Sequence, residues 1–163
     1  MTIFEGLTSH QRDWLSSKES LTKRLRTVTQ NKITHHLFYN DWGIVDQNTT
    51  AWIRRMEWRY ENTTWVACTV MIPETSINEE TQELLHTGEK SIGDTLFQDP
   101  TLTRSDFTFS KCNNNEWGRE SIFYYKQQPI FLVEHFYAEF FDAIRRSDSV
   151  PTDLLSQFDI FPL

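Results

Sequence analysis

Only five glycines and two cysteines occur among the 163 residues. So few glycines leave little room for a glycine-rich phosphate loop. Cys68 and Cys112 form neither a CxxC pair nor a zinc-ligand spacing. Both fall in strand-like segments, so they are expected to be reduced thiols in or near the core rather than a disulfide. No run is long and apolar enough to span a bilayer. The N-terminal MTIFEGLTSH lacks a basic segment followed by an apolar one, so no secretory signal is read there and a cytoplasmic protein is expected.

Positive charge is also scarce. Lys and Arg number 16 against 23 Asp and Glu, a net charge of -7. Such a chain is not drawn as a whole to nucleic acid or to an anionic membrane. An anionic substrate would have to be held by a local positive site, against the field of the whole molecule. That gives weight to any arginine that points inward.

The usual catalytic clusters are missing too. His10, His35, His36, His86 and His135 show neither HxxxH nor HxH spacing, and the rings of His35 and His36 fall on opposite faces of a strand. No metal site is expected. There is no GxSxG elbow, and Cys68 has no basic motif beside it in the sequence to activate a thiolate.

Aromatic residues, in contrast, make up 14% of the chain, with 12 Phe and 6 Trp. They fill thick cores and line pockets for flat ligands. The length and the 38% hydrophobic content suit one domain, residues 1–163. Thr8 or Ser9 is placed to cap a first helix burying Trp14 and Leu15, and Ser20 a second with Leu21, Leu25 and Val28 at helical spacing. Lys23, Arg24 and Arg26 read as its solvated face. Residues 32–40 read as a strand, 41–50 as a loop, and 51–73 as a hairpin turning at Glu61–Thr64 and ended by Pro73. Residues 78–86 read as a helix with an acidic first turn, and Ser91–Phe97 as a short helical turn capped by Ser91. Strands are expected at 105–112, 119–127 and 129–138, with the last turn at Gln127–Gln128. Glu139–Arg146 reads as a helix with Phe140, Phe141 and Ile144 inward, opening a tail, 139–163, that packs on the body.

Short turns between most strands predict a largely antiparallel sheet of about six strands in an α+β domain, with helices over one face or end.

Two charges stand out against this pattern. On the strand 51–60 the apolar set is Trp52, Met56, Trp58 and Tyr60, and Arg54 sits in its middle. On the strand 129–138 one face holds Ile130, Leu132, Glu134 and Phe136. The opposite face, Phe131 to Tyr137, is also apolar, which predicts a central strand covered on both sides. A buried arginine or carboxylate is costly unless partnered. Three arrangements are open: a structural Arg54–Glu134 ion pair, two unrelated residues whose tips reach water, or the polar end of an enclosed cavity. In the last, Arg54 would clamp a carboxylate through paired N–H bonds and Glu134 would act at a hydroxyl or ether oxygen. Arg104 and Arg119, in the short segments PTLTR and WGR, read as ties between loops.

Taken in order, the segments WLSSKESLTKR (14–24), the WIRR hairpin to Pro73, SIGDTLF with PTLTR (91–104), WGR (117–119) and QPIFLVEHF (128–136) resemble the chorismate pyruvate-lyase family. The resemblance spans most of Trp14 to Phe136. It implies an α+β domain with helical flaps over an internal ligand cavity. It implies an enzyme, needing neither metal nor organic cofactor, that removes pyruvate from chorismate and leaves 4-hydroxybenzoate, the ring precursor of ubiquinone. It places the carboxylate-binding arginine on Arg54, the active-site glutamate on Glu134, and two residues that touch the ligand, chiefly by backbone, on Leu21 and Ile92. The expected partner is the small molecule alone, with a monomeric protein, no nucleic acid and no membrane insertion. Family members tend to carry a further arginine near the position of Thr69; here the sequence is Ala67-Cys68-Thr69, which implies a weaker hold on a second carboxylate. The rival reading is a sensor domain of similar fold that binds an aromatic carboxylate without chemistry.

Overall fold

The alternating segments become hairpins where the chain turns in two residues. Glu61 and Asn62 have φ of 51° and 64°, and Lys126 and Gln127 have 49° and 68°. Paired left-handed residues of this kind twist a two-residue turn to match the twist of the strands it joins. Asn tolerates the conformation; the other three carry modest strain.

The computed structural model describes residues 4–112 and 115–148. Its helices are α1 (Ser9–Ser16), α2 (Leu21–Val28), α3 (Ile92–Leu96) and α4 (Ala138–Asp148). Its strands are β1 (Thr34–Asp46), β2 (Thr49–Tyr60), β3 (Thr63–Pro73), β4 (Thr103–Arg104), β5 (Thr108–Lys111), β6 (Trp117–Tyr125) and β7 (Gln128–Phe136). They form one antiparallel sheet in the order β1-β2-β3-β7-β6-β4, with β5 also paired to β6. The α+β class holds.

Register sets the inward face. Directly opposed residues share a face of the sheet, so Met56, Cys68, Glu134 and Arg119 form one transverse row across β2, β3, β7 and β6. Arg54, Val70, Leu132 and Ser121 form the next. Helices lie over this face. Trp14 and Leu15 of α1 meet Phe140 and Ile144 of α4 above Trp65 and Phe136. A second cluster joins Ile72, Leu84, Ile92, Leu96, Phe123 and Ile130. Thr8 caps α1 in a reciprocal box with Gln11, and Ser20 caps α2 through the Lys23 N–H.

The sheet has seven strands among the described residues, in keeping with the six or so expected. Several finer expectations are corrected. β1 runs on through Asp46 because residues 41–46 pair with Thr49–Ile53, so most of the expected loop 41–50 is strand. No α-helix forms over 78–86; 3-10 turns at Glu74–Ser76 and Gln82–His86 stand instead. Asn78 does cap a first turn there, its Oδ1 accepting the N–H groups of Glu80 and Thr81 and its carbonyl the N–H of Gln82 at 2.9 Å, but beyond it the bonds run to the third residue, as from Leu84 N–H to Thr81 O at 3.0 Å. Of the strand expected at 105–112, Thr108–Lys111 forms as β5, with the short β4 standing before it, and Ser105 bonds Ile122 of β6 through both its N–H and its side chain. The last turn falls at Lys126–Gln127, one residue early. β7 is central but not covered on both sides: Phe131, Val133 and His135 are half-buried. Phe140, Phe141 and Ile144 are buried as expected; the tail beyond 148 lies outside the described residues.

Candidate active site

Glu134 is buried, and its partner is not Arg54. Arg119, its direct neighbour on β6, donates Nε to Oε1 at 2.7 Å and Nη2 to Oε2 at 3.2 Å. Arg104 of β4 adds Nη2 to Oε1 at 3.2 Å. The third nitrogen of Arg119 donates to Leu15 O at 2.7 Å and Ser17 O at 3.2 Å. It thereby satisfies carbonyls at the end of α1 and fixes the start of the α1–α2 segment. Arg104 donates Nε to the Ser121 hydroxyl at 3.1 Å, and its guanidinium packs on the rings of Phe107 and Phe123 at 4.5 and 4.4 Å. Burial lowers the pKa of Arg104 to about 10, which still leaves it cationic at neutral pH.

The expectation that Arg104 and Arg119 tie loops together is met, since both bond carbonyls of the α1–α2 segment. Their grip on Glu134 was missed. The signal was present: Trp117, Arg119, Ser121, Phe123 and Tyr125 alternate onto one face, the same pattern that singles out Arg54.

Arg54 is fully buried, and among the described residues it has no acidic partner. Nη1 donates to Asn40 Oδ1 at 3.2 Å and to Gly88 O at 2.9 Å, and Nη2 donates to Lys90 O at 2.8 Å. Its Nε is buried without a hydrogen-bond partner. Desolvation accordingly lowers its pKa. The carbonyls it holds lie just before Ser91 and Ile92.

A cavity of about 50 Å³ lies between the sheet and the two helical segments. Leu21, Ile92 and Glu134 all line it, together with Arg104, Cys68, Met56 and Phe123. Arg54 lies outside that lining, two strands from Glu134. The rim is latched: the Thr22 and Ser91 hydroxyls are 3.0 Å apart, and Arg26 of α2 pairs with Asp94 of α3 through bonds of 2.9 and 3.1 Å. Arg26 is thus not simply solvated, and Arg24 stacks on Trp14 at 4.1 Å. Burial, reinforced by Glu134, raises the Cys68 thiol pKa well above its usual value. Thr69, between Cys68 and Val70, points to the opposite face of the sheet. An arginine at that position would not reach the cavity in this register.

Among the described residues no group of three or more His, Cys, Asp or Glu is placed to hold a metal ion. Nor is any helix among them long and apolar enough to cross a membrane.

An inward carboxylate gripped by arginines, beside a small apolar cavity under two helical segments, describes a small-molecule site on an α+β scaffold. Residues 3–146 match the family described as chorismate lyase. A probable chorismate pyruvate-lyase of Coxiella burnetii is 34% identical, over 79% of this chain and 83% of its own. A chorismate pyruvate-lyase of Salmonella arizonae is 27% identical, over 80% of this chain and 84% of its own. The solved structure of a possible transcriptional regulator from Bacillus subtilis overlaps 67% of this chain and 60% of its own at 10% identity, with a TM-score of 0.44, too distant to bear on function. The chain belongs to the chorismate lyase family, a family of lyase enzymes.

Proposed function

We propose that the protein eliminates pyruvate from chorismate to release 4-hydroxybenzoate, for ubiquinone biosynthesis, with Arg54 and Glu134 as the residues that act on the substrate. The observation that carries this reading is the buried Nε of Arg54. Among the described residues it is an unpaired donor on a cation with no anion beside it, next to the segment that leads into Ile92. Such a group is costly unless a ligand supplies the anion.

Chorismate is a cyclohexadiene bearing a ring carboxylate, a hydroxyl and an enolpyruvyl ether on the carbon next to that hydroxyl. When the ether C–O bond breaks and the hydroxyl-bearing carbon loses its proton, the ring becomes aromatic. The proton ends on the methylene carbon of the departing group, which leaves as pyruvate. The reaction runs downhill, so the protein needs chiefly to hold the ring and ease departure of the oxygen. In this reading Arg54 holds the ring carboxylate. Glu134 Oε2, which accepts one N–H bond, receives the substrate hydroxyl and orients the reacting carbons. Leu21 and Ile92 close over the ring and exclude water. The cavity is well below the roughly 300 Å³ of a small-molecule site, so the segments carrying them must part to admit substrate.

The test is to incubate the purified protein with chorismate in the presence of a chelator, measuring pyruvate by a coupled assay and the aromatic product by chromatography. Equal amounts of pyruvate and 4-hydroxybenzoate are expected. Tight binding of 4-hydroxybenzoate without turnover would replace the enzyme with a sensor, and a different aromatic isomer would correct the product.

A further inference from the structure

The charges on the covered face of the sheet do not balance. Arg54 and Arg119 are buried, and the Arg104 side chain is only 6% exposed. Among the described residues of that face, one buried carboxylate, Glu134, stands against these three cations. Arg119 and Glu134 complete each other: two parallel bonds join them, and the remaining Arg119 nitrogen is taken up by backbone carbonyls. The surplus therefore sits on Arg54 and Arg104, two positive charges buried in a protein whose net charge is -7.

Arg104 is also short of acceptors. Of five guanidinium N–H groups, Nε is spent on Ser121, one Nη2 hydrogen on an Oε1 already shared with Arg119, and one Nη1 hydrogen on Lys18 O at a long 3.4 Å. Two N–H groups, one on each terminal nitrogen, remain. They suit a carboxylate. Unlike Arg119, Arg104 lines the cavity, and it does so from the Glu134 end. The rings of Phe107 and Phe123 lie 4.5 and 4.4 Å from its guanidinium and restrain it, so little side-chain freedom is lost when an anion binds.

We infer that Arg104 forms a second carboxylate subsite, which takes the enolpyruvyl carboxylate of chorismate while Arg54 takes the ring carboxylate. This rests on the lyase reading and deepens it. Two surplus cations match a dianionic substrate. The aromatic product is a monoanion, because the second carboxylate departs with pyruvate. Arg104 therefore discriminates substrate from product, a task Arg54 cannot perform because both molecules carry the ring carboxylate. It also removes the need for an arginine near Thr69.

The test compares wild type with Arg104→Gln and Arg104→Lys, measuring KM for chorismate and the inhibition constant of 4-hydroxybenzoate on each protein. Arg104→Gln is expected to raise KM at least tenfold and leave the inhibition constant within about twofold. Arg104→Lys, which keeps the charge but not the fork, should recover part of the loss. If KM and the inhibition constant rise together in both variants, Arg104 acts only by positioning Glu134 and the inference is overturned; unchanged KM overturns it as well. Should Arg104→Gln not fold, Arg104→Lys alone decides, since a selective rise in KM supports the subsite and a parallel or absent change removes it. A wild-type protein that releases no pyruvate instead overturns the lyase reading, a result distinct from any of these.

Discussion

Arg54 and Glu134 point from the same face of the sheet, yet neither is the other's partner. Two strand spacings separate them, on the order of 10 Å. Arg54 bonds Asn40 and the carbonyls of Gly88 and Lys90, whereas Glu134 is held by Arg119 and Arg104. The two lie far enough apart for a ligand the size of a six-membered ring to fit between them.

Arg54→Ala removes the proposed ring clamp and also releases the 88–90 segment. The expected result is a fall in kcat/KM of about 100-fold or more, close to 3 kcal/mol of lost transition-state binding, with poorer binding of 4-hydroxybenzoate as well. Steady-state kinetics and product titration check both. Retained kinetics would remove Arg54 from the site.

Glu134→Gln strips the counter-charge from two buried guanidinium groups. Breaking a buried ion pair costs roughly 3–5 kcal/mol, so a large drop in stability to urea is expected, together with a lower kcat. Adding Arg119→Met should restore part of the stability, and a double-mutant cycle would read the coupling. Simple additivity of the two losses would show that the pair contributes no coupling.

The Arg26–Asp94 bridge joins α2 to α3, and both side chains are about 40% exposed. A pair this open is worth less than about 1 kcal/mol of stability. Asp94→Asn should hardly change the melting temperature but should speed dissociation of the bound aromatic product several-fold, as followed by stopped-flow displacement. An unchanged off-rate would mean that the rim does not gate the cavity.

Cys68 faces the cavity with its thiol pKa raised by burial and by Glu134. Thiolate is the reactive form, so Cys68 should alkylate far more slowly at neutral pH than the half-buried Cys112, and more slowly still with 4-hydroxybenzoate present. Mass spectrometry of maleimide-treated protein tests this. Fast labelling of Cys68 would show the cavity to be open.

Burial lowers the pKa of His35, which rests against Met56 and Trp58. The unfolded chain takes up a proton near pH 6.5 that the folded chain resists. The contribution of neutral His35 is therefore present above that pH and is lost as pH falls through the depressed folded value. His35→Gln should flatten the decline of urea stability on the acid side of pH 6.5. An unchanged slope would assign the decline to other groups.

Alternation alone made β2, β3, β6 and β7 legible, along with the inward placement of Arg54 and Glu134, because a strand's side chains record its two faces directly. What it did not record is which strands are neighbours. The sheet order puts Arg119 beside Glu134 and leaves Arg54 two strands away, so the ion-pair partner was not readable from spacing. The expected strand stopped at Asn40 because Asp41 and Gly43 read as loop residues, whereas in the fold they pair with Ile53 and Ala51 of β2. Over 78–86 the cap at Asn78 was legible, but the chain beyond it winds as a 3-10 turn at Gln82–His86, and composition does not tell that from an α-helix.

The sheet order also bears on how the chain folds as it leaves the ribosome. β3 pairs on its far side only with β7, joining residues 66–71 to 131–136. The β1–β3 meander therefore emerges with one long edge unpaired and its apolar face bare until some sixty further residues have followed. Synthesis that stalls before Phe136 would present that edge to other nascent chains. The last strand to appear is the one that makes the first three safe.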